Sequence, residues 1–301
     1  MRKKLSKSFN VVGVWHAGHH GCHWTSATHV LTFHALHSFT RAVLHHCSSL
    51  LLVCSQKRHD INGSEVGYFH HVNHGVDYVF VDHPSFPRPG GLYSDEFGTF
   101  GDNQFRFTLL TLAALEAPLV LPLGEQGLYG QDCIFMANDW HTALIPVYLA
   151  AKYRAHGVYN NARSILAIHN LRHQGVFPPG SYWSLGLPDN WYGTLEWQYP
   201  PDQRMGAYEE EGRAVNHIKA GIITADRIVT VSPGYAEEIK TWLGGWGMDG
   251  LLASRGFVLN GVINGIDTER AWPSPWTPTS PCWPSLVAWT PRKARTSCWK
   301  P

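Results

Sequence analysis

Charge is scarce in this sequence of 301 residues: Lys, Arg, Asp and Glu together make up 16% of it and balance to a formal net charge of +1. No basic patch builds up that would grip a phosphate backbone, so nucleic acid is not an expected partner. Long apolar runs are missing too. No stretch approaches the roughly 18 residues that carry a helix across a bilayer, and the run from Cys47 to Cys54 is too short for an anchor, so no membrane partner is expected. The six cysteines, at 22, 47, 54, 133, 282 and 298, are scattered. Their spacing matches neither a zinc site nor a CxxC redox pair and implies no disulfide framework. Cys133 reads as a small buried thiol. No fixed-period repeat occurs, which removes solenoids and propellers. Acid is absent altogether from residues 1–59, which begin Met1-Arg2-Lys3-Lys4 and hold ten of the nineteen histidines. That is the composition of an organelle transit peptide, or of a mistranslated sequence that never folds, from an intron or a wrong frame.

What is plentiful is apolar and aromatic. A hydrophobic content of 44% supplies a core for one large or two ordinary domains. Thirteen Trp and twelve Tyr serve core packing, and they also offer the flat faces that sugar rings stack on. The organising stretch is Cys133 to Gly175. Cys133-Ile-Phe-Met-Ala137 is a short apolar run that turns polar at Asn138-Asp139-Trp140-His141. Thr142 to Arg154 then has helical spacing, and Ser164-Ile-Leu-Ala-Ile168 is a second apolar run ending at His169-Asn170. This is a βαβ unit. A right-handed crossover brings the carboxyl ends of both strands to one edge, so Asp139, Trp140, His141, His169 and Asn170 are expected to share a crevice. The plainer alternative has Asp139 capping a helix and both histidines packed in the core. Asp139, His141, His169 and His173 are metal-ligand types without metal-ligand spacing, so no metal is expected.

Elsewhere, Gly67 to His70 and Val76 to Asp82 read as strands, followed by a Pro/Gly loop from His83 to Asn103. Asn103 to Glu116 is apolar nearly all round, a buried helix capped by Asp102 or Asn103. Trp191 to Trp197 reads as a surface aromatic loop. Glu210 to Ala225 has helical register, Arg227 to Val231 reads as a buried strand before a helix opened by Pro233, and Phe257 to Asn260 as another strand. Beyond Asp267 proline is dense and periodicity stops, so residues 268–301 read as an unstructured tail.

The words NDWHTALIPVYLAAKYRAHGVY, SILAIHNLRHQGVFPPGSYWSLGLP, FGDNQFRFTLL, TADRIVTVSPGYAEEI and VLNGVINGID closely resemble the N-terminal catalytic domain of plant-type soluble starch synthases. The resemblance runs from about residue 60 to 267 and leaves 1–59 and 268–301 unmatched. It implies a Rossmann-like α/β fold, a mostly parallel sheet flanked by helices, forming one lobe of a two-lobed GT-B glycosyltransferase whose second lobe is absent. It also implies transfer of glucose from ADP-glucose, with retention, to the non-reducing end of an α-1,4-glucan such as amylose or amylopectin. The compartment implied is the plastid, and no cofactor is implied beyond the donor substrate. Asp139 and His169 are the catalytic residues so implied. Tyr93, Trp140, His141, Asn170 and Asn264 are the substrate-binding set, with His141 acting from behind the others. The family's Lys-x-Gly-Gly-Leu loop and its diphosphate-binding Arg and Lys have no counterpart, which implies an inactive or weakly active chain. The alternative is a noncatalytic α-glucan-binding module gripping glucan through Trp183, Trp191 and Trp197.

Overall fold

The computed structural model describes residues 7–11, 30–35, 57–73, 76–123, 128–198 and 213–265. The main strands are β1 (Lys7–Val11), β2 (Val30–Ala35), β3 (Lys57–Ile61), β4 (Ser64–Asn73), β5 (Val76–Asp82), β8 (Cys133–Asn138), β9 (Arg163–Ile168), β13 (Arg227–Thr230) and β14 (Leu259–Gly261). They form one sheet in the order β14-β13-β9-β8-β1-β2-β5-β4-β3. From β14 across to β5 every neighbour is parallel, and only the β5–β4 and β4–β3 pairings, at one edge, are antiparallel. Short strands β6 (Ser94–Asp95) and β7 (Gly98–Thr99) pair in a loop, while β10 (Val176–Phe177), β11 (Glu196–Gln198) and β12 (Arg213–Asn216) make a small separate sheet. This is the Rossmann-like α/β arrangement expected from the sequence. No helix among the described residues is long and apolar enough to cross a membrane.

The helix α1 (Asn103–Val120) is buried along almost its whole length. Leu110 and Leu115 are fully enclosed, and each such side chain contributes about 1.5–3 kcal/mol. Two buried tyrosines hold its carbonyls: Tyr68 Oη donates to Ala113 O at 2.9 Å and Tyr159 Oη to Leu115 O at 2.6 Å. β8 alternates buried Cys133, Phe135 and Ala137 with partly exposed neighbours, and β9 buries Leu166, Ala167 and Ile168 at its end. Helices can thus cover both faces while the polar residues that follow these strands stay at the edge.

Several expectations are corrected. The sheet does not begin at residue 60: β1 and β2 lie in its middle, β1 pairing with β8 from Lys7↔Cys133 to Val11↔Ala137. A central parallel strand needs only a short apolar word, here Phe9-Asn10-Val11 and Val30-Leu31-Thr32-Phe33, which the odd composition of the surrounding residues conceals. The helix expected over Thr142 to Arg154 is broken into α2 (Asp139–Thr142), α3 (Ile145–Tyr148), a π turn (Leu149–Tyr153) and a 3₁₀ turn (Arg154–His156). Pro146 has no N–H to continue the α2 ladder, and the wider π turn ends at Tyr153, whose hydroxyl donates to Glu116 Oε1 at 2.5 Å. The segment Arg213–Asn216 is strand β12, so the helix in that region, α5 (His217–Thr224), starts seven residues later than expected. It follows the short helix α4 (Tyr192–Leu195), where Trp191 and Trp197 pack partly buried against the core; Trp183 alone of that trio is largely exposed, at 64%. The chain divides into units 1–264 and 265–301, and the tail expected over 268–301 lies outside the described residues.

Candidate active site at the carboxyl edge of the sheet

β8 and β9 are parallel neighbours with Asn138 opposite Ala167, so Asp139 and His169 leave the sheet side by side. Asp139 has a left-handed backbone, φ +49, which costs a non-glycine residue on the order of 1–3 kcal/mol. Local bonds offset it. Thr142 Oγ1 accepts from Asn138 N at 2.7 Å and donates to Asn138 O at 3.0 Å, clamping the turn. The turn aims the carboxylate across the strand gap, where Asp139 Oδ1 accepts from His169 N at 2.8 Å and from Asn170 N at 3.3 Å. One carboxylate oxygen therefore fixes the backbone of the neighbouring strand end. Burial raises the Asp139 pKa above the usual carboxylate range, against the pull of His169, of these backbone N–H groups and of His173. The His169 ring lies 2.8 Å, through Nε2, from Asn138 Oδ1.

Next to this pair stands an aromatic wall. Trp140 stacks on His141 with centroids 4.3 Å apart, and Phe107 meets Trp140 and His141 edge-on at 4.9 and 4.8 Å. Tyr93, at the tip of the Pro/Gly loop, reaches this wall: its Oη is 2.8 Å from His141 Nε2 and its ring 6.5 Å from that of Trp140. Burial drives the His141 pKa down to about 3 and, with the charge of Asp139, pushes Tyr93 up to about 12, so both partners are neutral near pH 7. Trp140 packs on its other side against Phe177 and His217, at 5.8 and 6.3 Å. His217, the first residue of α5, is fully enclosed and held near pKa 3 by burial.

Tyr93, Asp139, Trp140, His141, His169 and Asn170 are thus brought together. Asn170 Oδ1 accepts from Arg172 N at 3.1 Å, which shapes the loop after β9. Asn264 stands exposed three residues past β14, on the same edge but separated from β9 by β13, and among the described residues no hydrogen bond joins it to the others. The capping role considered for Asp139 is also displaced, since Asn138 holds the position before α2 and neither side chain caps it.

A supporting layer had no separate sequence signal. Asn216 Nδ2 donates to Gln174 Oε1 at 2.7 Å and Gln174 Nε2 to Trp246 O at 3.0 Å, while His217 N donates to Gly175 O at 3.1 Å. These bonds hold the loop after β9 against α5. Gly175 has φ +65, and a Cβ there would meet Trp140 Cε3 at 2.5 Å, so only glycine lets the indole lie flat.

A family model described as the starch synthase catalytic domain matches residues 23–254. Soluble starch synthase 1, chloroplastic/amyloplastic, of Oryza sativa subsp. japonica is 59% identical over 210 residues, covering 70% of this chain and 32% of the rice protein. Starch synthase 1 of Triticum aestivum is 57% identical over 216 residues (72% and 32%), and granule-bound starch synthase 1 of Zea mays 40% over 223 (69% and 35%). The chain spans about a third of the length of these relatives. Among solved structures, the catalytic domain of starch synthase IV from Arabidopsis thaliana, bound to ADP and acarbose, superposes with TM-score 0.61 at 24% identity, covering 89% of this chain and 53% of that one. At that identity the likeness is one of fold, a lobe of the GT-B type. The family match starts well before residue 60, in keeping with the central place of β2, and it contains the whole Asp139–His169 edge. This chain belongs to the starch synthase catalytic-domain family.

Proposed function

We propose that the chain is part of a plastidial glucosyltransferase that moves glucose from ADP-glucose to the non-reducing end of an α-1,4-glucan, amylose or amylopectin, with retention of configuration. The observation that carries this reading is the Asp139 carboxylate anchored on the backbone of His169 and Asn170, beside the Trp140–His141–Tyr93 wall. In such a transfer the bond from the anomeric carbon to the diphosphate breaks, ADP departs, and the acceptor's 4-hydroxyl forms the new bond and gives up its proton. Positive charge builds on the glucose as the diphosphate leaves. An anionic Asp139 is suited to offset that charge or to hold a sugar hydroxyl, and preorganised groups of this kind are worth about 3–4 kcal/mol each. His169 is suited to bind a sugar hydroxyl, Asn170 and Asn264 to bind the substrate, and Trp140 to wall the acceptor. His141 steadies Trp140 and Tyr93. No cofactor is called for, because the donor carries its own leaving group. The names of the rice and wheat relatives, both chloroplastic/amyloplastic, support the plastid as the compartment.

The test joins two measurements on the 301-residue chain: retention on amylopectin, and incorporation of radiolabelled glucose from ADP-glucose. Since the chain is expected to be inactive or weakly active by itself, at most weak incorporation, abolished by Asp139→Ala, is the expected result for part of a transferase. Retention without incorporation by the parent chain returns the reading to a glucan-binding module.

A further inference from the structure

Tyr93 lies in the Pro/Gly loop between β5 and α1, and its carbonyl is held by two donors. Its carbonyl accepts from Asn103 Nδ2 at 2.9 Å and from Phe100 N at 2.9 Å. The preceding carbonyl, of Leu92, accepts from Arg106 Nη1 at 3.0 Å, and the same nitrogen donates to Asn103 Oδ1 at 2.6 Å. Arg106 Nε donates to Ser85 O at 3.0 Å, near the start of the loop, and the guanidinium lies over Phe100 and Phe107 at 5.3 and 5.7 Å. Arg106 is 1% exposed and Asn103 4%. A loop of this length is ordinarily mobile, and an arginine is seldom buried on carbonyls alone. Here one turn of α1 directs both side chains to the consecutive carbonyls of Leu92 and Tyr93, and the Tyr93 ring faces the candidate site.

We propose that Asn103 and Arg106 are positioning residues that fix the Tyr93 ring against His141 and Trp140, so that α1 sets the depth of the sugar-binding wall. This rests on the reading of Tyr93 as a ring that touches the sugar. The pair acts as one device: Arg106 orients the Asn103 amide through its oxygen, which turns the amide nitrogen toward the Tyr93 carbonyl. Asn103 thus holds the Tyr93 carbonyl directly, and Arg106 holds the carbonyl next to it.

Asn103→Asp separates these roles, because it keeps an oxygen for Arg106 and removes the donor to Tyr93. In protein labelled with ¹³C at the tyrosine rings, the Tyr93 signal, assigned by its loss in Tyr93→Phe, is expected to shift in Asn103→Asp. Maltoheptaose affinity is expected to fall about tenfold, the scale of one buried hydrogen bond to a positioned group. In a Tyr93→Ala background the same change should cost no further affinity, the non-additive result that marks action through one residue. Arg106→Lys, which keeps the charge and loses the fork, should shift the same signal and serves if Asn103→Asp does not fold. An unmoved Tyr93 signal overturns the inference whatever the ligand does, and so does a loss of affinity that persists without Tyr93. A moved signal in a chain where Tyr93→Ala binds maltoheptaose like the parent supports the positioning and overturns instead the reading of Tyr93 as a sugar contact.

Discussion

Gly63 and Gly175 both have left-handed backbones, φ +78 and +65, and they sit in regions of opposite character. Gly63 closes the β3–β4 hairpin with Asn62 (φ +51), and a Cβ at Gly63 would meet nothing within 4 Å. Gly175 follows β9, and a Cβ there would strike the indole of Trp140. The first glycine answers a local demand, the twist of a two-residue turn with Ile61 opposite Ser64. The second answers a distant one, set by a side chain that arrives from another strand end. Around Gly63 the polar contacts are exposed, such as the Arg58–Glu65 pair within the hairpin and Lys152 Nζ to Asn62 Oδ1 from outside it; around Gly175 they are enclosed, such as Asn216 to Gln174. Stability and function are therefore separable between the hairpin edge and the crevice edge.

The difference also sorts what the sequence could tell. Asn62-Gly63 flanked by Asp60-Ile61 and Ser64-Glu65-Val66 is a hairpin signal in the residues themselves, and it was within reach although a boundary at residue 60 cuts through it. The strand ends at Asp139 and His169 were legible because an apolar run that stops on polar residues is a local pattern, and topology then brings two such ends together. The π turn, the Gln174–Asn216–Trp246 bonds and the hold of Asn103 and Arg106 on the Tyr93 loop were not. Each depends on a partner some 10 to 70 residues away in sequence, and no periodicity encodes such pairings.

Acid should break the comparison most strongly. His141 and His217, both on the crevice side, have pKa values lowered by burial from 6.5 to about 3. The unfolded chain binds protons there that the folded chain refuses, so stability is complete above about pH 6.5 and falls as pH drops toward 3. Asp139 works in the opposite sense, since its raised pKa favours the folded state as the carboxyl protonates, but one carboxyl opposes two histidines. Circular dichroism against pH should show unfolding within that window, and His217→Gln should move its midpoint to lower pH. A midpoint unmoved by His217→Gln would mean that the crevice is not where acid acts.

Gly175→Ala comes next. The methyl brings left-handed strain of about 1–2 kcal/mol and an overlap with Trp140 worth about 1–3 kcal/mol more. Urea unfolding should report a loss of roughly 3 kcal/mol, and Trp140 should lose its seat on His141, visible as altered tryptophan fluorescence and weakened maltoheptaose binding. Gly63→Ala carries the strain without the overlap, so about 1 kcal/mol is expected, with glucan binding unchanged. Equal losses in the two variants, or lost binding in Gly63→Ala, would erase the distinction drawn between the two edges.

The smallest effect is expected from Arg58→Ala. Arg58 bonds to Glu65 across the hairpin, but the two side chains are 67% and 62% exposed, so water and salt screen the pair and ordering two long side chains offsets much of the attraction. The β3–β4 ladder keeps its backbone pairing from Lys57↔Tyr68 to Ile61↔Ser64 whether or not the pair forms. Ile61 and Val66, buried on the core side, hold the hairpin against the rest of the sheet. Arg58→Ala should therefore change the unfolding free energy by at most about 0.5 kcal/mol, and the change should vanish in 1 M salt. A loss above about 1 kcal/mol that persists in high salt would mean that the exposed edge is held by its charges rather than by its backbone and its two apolar anchors.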